Sequence, residues 1–197
     1  MDRIACISGT SRPDNYTLRA MHVVMDQLRV LDVEPVLLDG RELDLPFPGQ
    51  PETEDARRLR EIVSGAAGVI IGTPEYHGSF AAMTKLIIEN LGFPSALEGK
   101  PVALLGVAGG RIGAIKSLEQ LRSVCAHTGA IVMPGAVSIA GVRKVFDAEA
   151  RITDEASREA LHGVARSLVD FLKEYVRPRQ VLESMVREEG HPWAATV

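Results

Sequence analysis

Arg3-Ile-Ala-Cys-Ile-Ser8-Gly9-Thr-Ser-Arg12-Pro-Asp-Asn15-Tyr-Thr17 opens the chain with an aliphatic run, a polar loop and the first residues of a helical pattern. Residues 3–8 are too few for a helix and read as a buried strand closed by Gly9. Beyond the loop, Leu18, Met21, Met25 and Leu28 recur at spacings of three and four. That spacing predicts a helix over 16–31 with one apolar stripe. A strand feeding a helix through a short polar loop is the unit that repeats down the chain, and this repetition decides the fold class.

Pro35 to Leu38 reads as a second short strand, followed by an excursion over 39–52 punctuated by Gly40, Pro46, Pro48, Gly49 and Pro51. Thr53 is placed to cap a helix through about residue 67, with Leu59, Ile62, Val63 and Ala66 inward. Gly68-Val-Ile-Ile-Gly72 is a third strand, apolar throughout and therefore expected at the centre of the sheet. After a loop over 73–79, Met83, Leu86, Ile87, Asn90 and Leu91 share one helical face that ends near Gly92 and Pro94. Residues 101–107 form a fourth strand, and the helix after it, reaching about His127, presents Ile115, Leu118, Leu121 and Cys125. Ala130 to Met133 is the fifth strand, and a second run, 136–139, either extends it or makes an edge. A last long helix over 154–176 is expected to bury Leu161, Val164, Leu168, Phe171, Leu172 and Tyr175 and to stop at Pro178. Strands alternating with helices imply parallel neighbours joined by crossovers, hence a three-layer α/β sandwich. One domain is expected over 1–177. The tail, 178–197, gathers Val181, Leu182, Met185 and Val186 in a short helix before His191-Pro-Trp193.

Composition agrees with one globular domain: 197 residues, 46% hydrophobic and 24% charged, a size at which roughly 70% of the unfolded surface is buried. The net charge of −4 disfavours nucleic acid and anionic membranes as partners. No apolar run approaches the roughly 20 residues of a membrane span, and the start at Ile4 to Ile7 is too short for a signal peptide, so a cytoplasmic location is expected. Cys6 and Cys125 stand apart without CxxC or Cys/His spacing, so no disulfide framework or metal site is expected and each reads as a small core residue.

In open parallel sheets ligands bind beyond the carboxyl ends of the strands. The loop after the first strand offers the hydroxyls of Thr10, Ser11 and Thr17, the Asn15 amide, Arg12 and free helix N-terminal amides. These suit a phosphate; alternatively they only cap the helix. GxxxxGK[ST] is absent, and no GxGxxG follows the first strand, which disfavours ATP and dinucleotide cradles. Asp39, where a ribose-binding acid would stand, then reads as the start of an Asp39-Gly40 turn. After the third strand, Thr73-Pro-Glu-Tyr-His-Gly-Ser79 can turn backbone amides and the Tyr76 ring toward a planar ligand. Glu75 and His77 are either an acid/base pair or ordinary loop residues. After the fourth strand, Ala108-Gly109-Gly110 bares the backbone to a ligand, with Arg111 at the helix start. Together the loops describe a pocket for a flat ring carrying one phosphate.

These residues resemble the NADPH-dependent FMN reductase family of flavodoxin-like proteins. Gly9-Thr-Ser-Arg12-Pro-Asp-Asn15-Tyr-Thr17 is similar to its G-S-x-R-x-x-S-x-N loop, Pro74-Glu-Tyr76-His-Gly78-Ser79 to its P-E-Y-N-G-S turn, and Gly109-Gly110 to its glycine turn. The likeness spans about Arg3 to Pro134, and the Pro-Glu-Tyr-x-Gly-Ser segment is its most specific part. It implies a five-stranded parallel sheet in the order 2-1-3-4-5, one FMN per subunit and a homodimer or homotetramer whose neighbour helps cover the flavin. Gly9, Thr10, Ser11, Arg12, Asn15 and Thr17 would form the phosphate side. Pro74, Glu75, Tyr76, His77 and Gly78 would line the isoalloxazine, and Gly109, Gly110 and Arg111 its pyrimidine edge. Asn15 stands where the family has serine, Thr17 where it has asparagine, and His77 where it has asparagine. The implied activity is ping-pong transfer of a hydride from NADPH or NADH to bound FMN, then of electrons to a flavin, quinone or azo acceptor, with no catalytic side chain. Arg111 and Arg143 are the candidates for contact with a 2′-phosphate. Two other readings share the fold, a flavodoxin-like electron carrier without NAD(P)H oxidation and a non-catalytic interaction module. A phospho-acceptor signalling domain is disfavoured, because Ser8-Gly9 and Gly72-Thr73 stand where it needs acids.

Overall fold

The first strand, β1 (Arg3–Ser8), pairs in parallel with β2 (Glu34–Asp39) on one side and with β3 (Gly68–Tyr76) on the other. In the computed structural model, which describes residues 2–188, β5 (Pro101–Val107) lies next along the sheet. The fifth position is shared by β6 (Ile131–Val132) and β7 (Val137–Ile139), both parallel to β5. The run 136–139 therefore extends the fifth strand after an interruption at Pro134-Gly135, where Pro134 has no N–H for the ladder and Gly135 has φ +74°. The main path is 2-1-3-4-5 once the two-residue strand β4 (Ser79–Phe80), which pairs only with β3, is set aside.

Side chains alternate along each strand and so supply two cores. Ile4 and Cys6 of β1 face α1 (Tyr16–Val30) and α5 (Glu155–Phe171), where Met21, Val24, Leu28, Leu161 and Leu168 are fully buried. Ala5 and Ile7 face the opposite layer, built from α2 (Glu54–Gly65), α3 (Ala82–Glu89) and α4 (Ile115–His127) with Leu59, Ile87 and Leu121 inward. Asn15 and Thr53 cap α1 and α2 by accepting from Leu18 N and Ala56 N. Cys6 and Cys125 sit in these cores, and burial pushes both thiols up to about 12. Among the described residues no group of His, Cys, Asp and Glu is arranged to hold a metal, and no helix is long and apolar enough to cross a membrane.

Five expectations are corrected. β3 does not end at Gly72 but runs on to Tyr76, so most of the expected loop is strand. Ile115 is 47% exposed, because it is the first residue of α4 and lies beyond the packed face. Leu18 is only half-buried, and Thr17, Ala20 and Val24 complete the α1 stripe instead. The last helix is not stopped by Pro178: α5 passes through a π-helical turn, Leu172–Val176, into α6 (Arg177–Glu188). Pro178 follows closely on that π-helical turn, whose wider i→i+5 spacing carries the helical run past a residue that has no N–H to donate. Tyr175, expected inside, is 62% exposed, as are Val181, Leu182 and Met185 at similar levels. The expected His191-Pro-Trp193 segment lies outside the described residues.

Candidate functional site

The chain leaves β1 toward β2 and then crosses back to β3, so the sheet reverses direction between β1 and β3. That switch point opens a crevice at the carboxyl ends of the strands. A cavity of about 310 Å³ lies there, lined by Arg12, Asp14, Asn15, Tyr16, Thr17, Pro74, Glu75, Tyr76, Val107, Ala108, Gly109, Val142 and Arg143. Loops far apart in sequence thus meet in one hollow.

The loop after β1 is held from below. Gly9 N donates to Gly72 O at 2.8 Å, and Thr10 N donates to Ser8 O at 2.9 Å. Asn15 shapes the turn with both ends of its amide, donating to Arg12 O at 2.8 Å and accepting from Leu18 N at 2.7 Å. Asn15 is therefore a cap and a brace. Thr17, one residue into α1, is different: its Oγ1 is buried without a hydrogen-bond partner although the residue lines the cavity. A buried hydroxyl without a partner costs free energy, and a ligand oxygen in the cavity would remove that cost. Arg12 also lines the cavity, is exposed, and joins none of the ion pairs of the described residues.

The turn after β3 is a hairpin. Glu75 pairs with Phe80 and Tyr76 with Ser79, leaving His77 and Gly78 as a two-residue tip with φ +51° and +75°. Both residues at positive φ is the pattern of the twisted hairpin turn that asparagine-glycine pairs favour. Histidine is one of the few other side chains that enters this region readily. The exposed His77 thus has a conformational reason to be where it is. The tip is fastened to α4: Gln120 Nε2 donates to Gly78 O at 3.0 Å, and Ser79 Oγ donates to Gln120 Oε1 at 2.7 Å. Glu75 Oε2 accepts from Ser117 N at 3.1 Å, capping the first turn of α4. The acid/base reading of Glu75 with His77 has no support in this geometry, since the carboxylate is engaged by the α4 backbone.

At the glycine turn, Gly109 lines the cavity, and a side chain added there would reach within 3.7 Å of Arg143 Nε. Gly110 faces open space. Arg111, expected beside them, is exposed and outside the lining. Gly110 O accepts from both Gly113 N and Gly141 N, which folds the segment into a turn and carries Arg111 away. Arg143, in the short 3₁₀ turn Val142–Lys144 after β7, supplies the second arginine of the cavity, also without an ion pair among the described residues. Thr10 and Ser11 line a neighbouring hollow of about 370 Å³ with Ala81, Ala82 and Met83. Arg12 and Tyr76 border both hollows. Asp14, Tyr16, Val107 and Val142 were not singled out in the sequence. Their shared signal is position, because each flanks the carboxyl end of a strand or the helix start after it. Asp39 is not part of the site: Arg41 holds it through Nη2 at 2.5 Å, within a turn closed by Glu42 N to Asp39 O.

Sheet order, crevice and loop chemistry define a flavodoxin-like α/β protein with its ligand cavity at the switch point. The model of the NADPH-dependent FMN reductase family matches residues 3–144, and the chain belongs to that family. It is 29% identical over 184 residues to an NADPH azoreductase from Bacillus sp. (strain OY1-2), covering 91% of this chain and 98% of that one. It is 27% identical over 189 residues to a 2-hydroxy-1,4-benzoquinone reductase from Burkholderia sp., with the same coverage. Among solved structures it is similar to FerB, a flavoenzyme NAD(P)H:(acceptor) oxidoreductase from Paracoccus denitrificans, with a TM-score of 0.73 and 25% identity over 89% of this chain and 99% of that one. The protein is an NAD(P)H-dependent oxidoreductase with FMN as its cofactor.

Proposed function

We propose that the cavity at the switch point holds FMN, with its phosphate at the start of α1 and its ring between the β3–β4 hairpin and Gly109-Gly110, and that the second substrate is a planar quinone or azo compound. The observation that carries this reading is the convergence of a partnerless buried Thr17 hydroxyl, two arginines without ion pairs and an open glycine turn on one hollow. FMN held there by Arg12, Thr17 and the hairpin would supply hydride acceptance from the nicotinamide and electron transfer to the acceptor.

The chain's own residues bind and orient. Arg12 and the first N–H groups of α1 favour an anion, and Thr17 Oγ1 gains the partner it lacks. Tyr76, 38% exposed at the cavity edge, offers an aromatic face to a flat ring. The bonds from Ser117 and Gln120 hold the hairpin still, so the amides of its tip are fixed before a ligand arrives. The bare backbone at Gly109-Gly110 leaves one side open for a second planar molecule. The azo and quinone substrates named for the two relatives support a conjugated, flat acceptor.

Arg143 is assigned to the 2′-phosphate of NADPH. Arg143→Ala is expected to raise the KM for NADPH about tenfold, the loss of one charge-assisted hydrogen bond, and to leave the KM for NADH unchanged. Steady-state kinetics with a quinone acceptor and each nucleotide would show this; equal effects on both nucleotides would remove Arg143 from that role. We also propose that two or more copies associate, since Phe93 and Phe47 are 102% and 65% exposed and apolar surface of this kind suits an interface. Dependence on NAD(P)H fits a cytoplasmic setting.

A further inference from the structure

Thr84 lies on α3, lines neither hollow at the switch point, and is fully buried. Its Oγ1 is 2.6 Å from Gly9 O, at the root of the loop after β1, and 2.9 Å from Thr73 Oγ1, where β3 heads into the hairpin. One hydroxyl hydrogen cannot serve both acceptors. The carbonyl is the nearer and stronger acceptor, so Thr84 donates to Gly9; the Thr73 hydroxyl then has two acceptors in reach, Thr84 Oγ1 at 2.9 Å and Pro74 O at 3.1 Å, and donates to the nearer, Thr84. Thr73 Oγ1 in turn accepts Ala81 N at 3.1 Å, on the returning side of the hairpin. The chain Ala81–Thr73–Thr84–Gly9 is therefore a directed line of hydrogen bonds from the hairpin to the root of the other loop. All three bonds are buried, where such bonds are least negotiable in length.

We propose that Thr84 is a positioning residue that fixes the separation of the two loops, so that the phosphate end and the ring end of one FMN molecule are bound as a unit. This rests on the FMN reading above. A ligand that spans both loops depends on their separation; a ligand that touches only one does not. The shared dependence is the same physics as preorganisation of any two-point site.

The test is a fluorescence titration of the flavin-stripped full-length chain with FMN and, separately, with lumiflavin, which has the ring but neither ribityl chain nor phosphate. Thr84→Val keeps the shape of the side chain and removes the hydroxyl. It is expected to weaken FMN about tenfold while changing lumiflavin by less than about twofold, and Thr84→Ser is expected to restore the FMN value. A general loosening of the fold would lower both affinities together, and that equal loss would overturn the proposal, as would unchanged FMN affinity. If Thr84→Val does not fold, Thr84→Ala, which removes the hydroxyl without putting a methyl group where Oγ1 stands 2.6 Å from Gly9 O, takes its place with the same expected ratio. Failure of the unsubstituted chain to bind FMN would instead overturn the FMN reading itself.

Discussion

Gly9→Ala is expected to lower the melting temperature by roughly 5–10 °C. A methyl group at Gly9 would lie 2.2 Å from Thr84 Oγ1 and 3.0 Å from the backbone oxygen of Gly72. Neither neighbour can move aside cheaply: Thr84 is β-branched, fully buried and bonded to Gly9 O and Thr73, and Gly72 lies inside the sheet next to β1. Overpacking of this kind costs about 1–3 kcal/mol, occasionally more. Each kcal/mol corresponds to about 2–4 °C in a chain of this size. Gly9, expected from the sequence on the ligand side, therefore acts as packing beneath the loop. Thermal melts by circular dichroism check this, and an unchanged midpoint would mean that the loop root yields more readily than its hydrogen bonds imply.

Arg12→Ala is expected to weaken FMN about 10- to 100-fold, the range set by about 1.5–3 kcal/mol for a hydrogen bond to a charged group. Arg12 is exposed on its solvent side and joins no ion pair of the described residues, so its removal leaves no orphaned partner in the protein and the loss falls on the ligand. Its bracing contact survives, because Asn15 Nδ2 donates to the backbone oxygen of Arg12 and not to its side chain. The absorption spectrum of the flavin that remains bound should be unaltered, since the phosphate end is remote from the chromophore. Parallel titrations with FMN and riboflavin read the effect. A loss shared by riboflavin would contradict a phosphate contact.

The strands that carry the crevice were legible because they are buried on both faces: 3–8, 68–72 and 101–107 are apolar runs bounded by turn residues, and no other element explains them. The sheet order followed from the family resemblance. The hairpin was not legible, because a two-residue turn at His77-Gly78 lacks the Asn-Gly or Asp-Gly signature, and a strand of two residues has no period to detect. Pro178 misled because proline disrupts the regular α-helical ladder without ending the helical run when a π-helical turn stands just before it, and sequence alone does not show that turn. Within the site, side-chain chemistry alone could not separate Arg111 from Arg143, since only the fold says which guanidinium reaches the hollow. Asn15 was read as either a phosphate contact or a helix cap, and its amide is engaged in the cap; Glu75, read on the ring side, accepts from the α4 backbone, a use that depends on which helix end packs nearby. Thr84 carried no signal at all, because a lone threonine on an apolar helix face looks like filler until its hydroxyl is seen between two loops.

On the FMN reading, three loops at the switch point make a flavin site that nicotinamide nucleotide reduces. The most direct measurement is a visible absorption spectrum of the purified protein after incubation with FMN and removal of free flavin, followed by anaerobic addition of NADPH and then NADH. The FMN reading requires that about one flavin per chain is retained and that NADPH bleaches the retained flavin. Flavin that is retained but bleached by neither nucleotide, or no retained flavin, would contradict it.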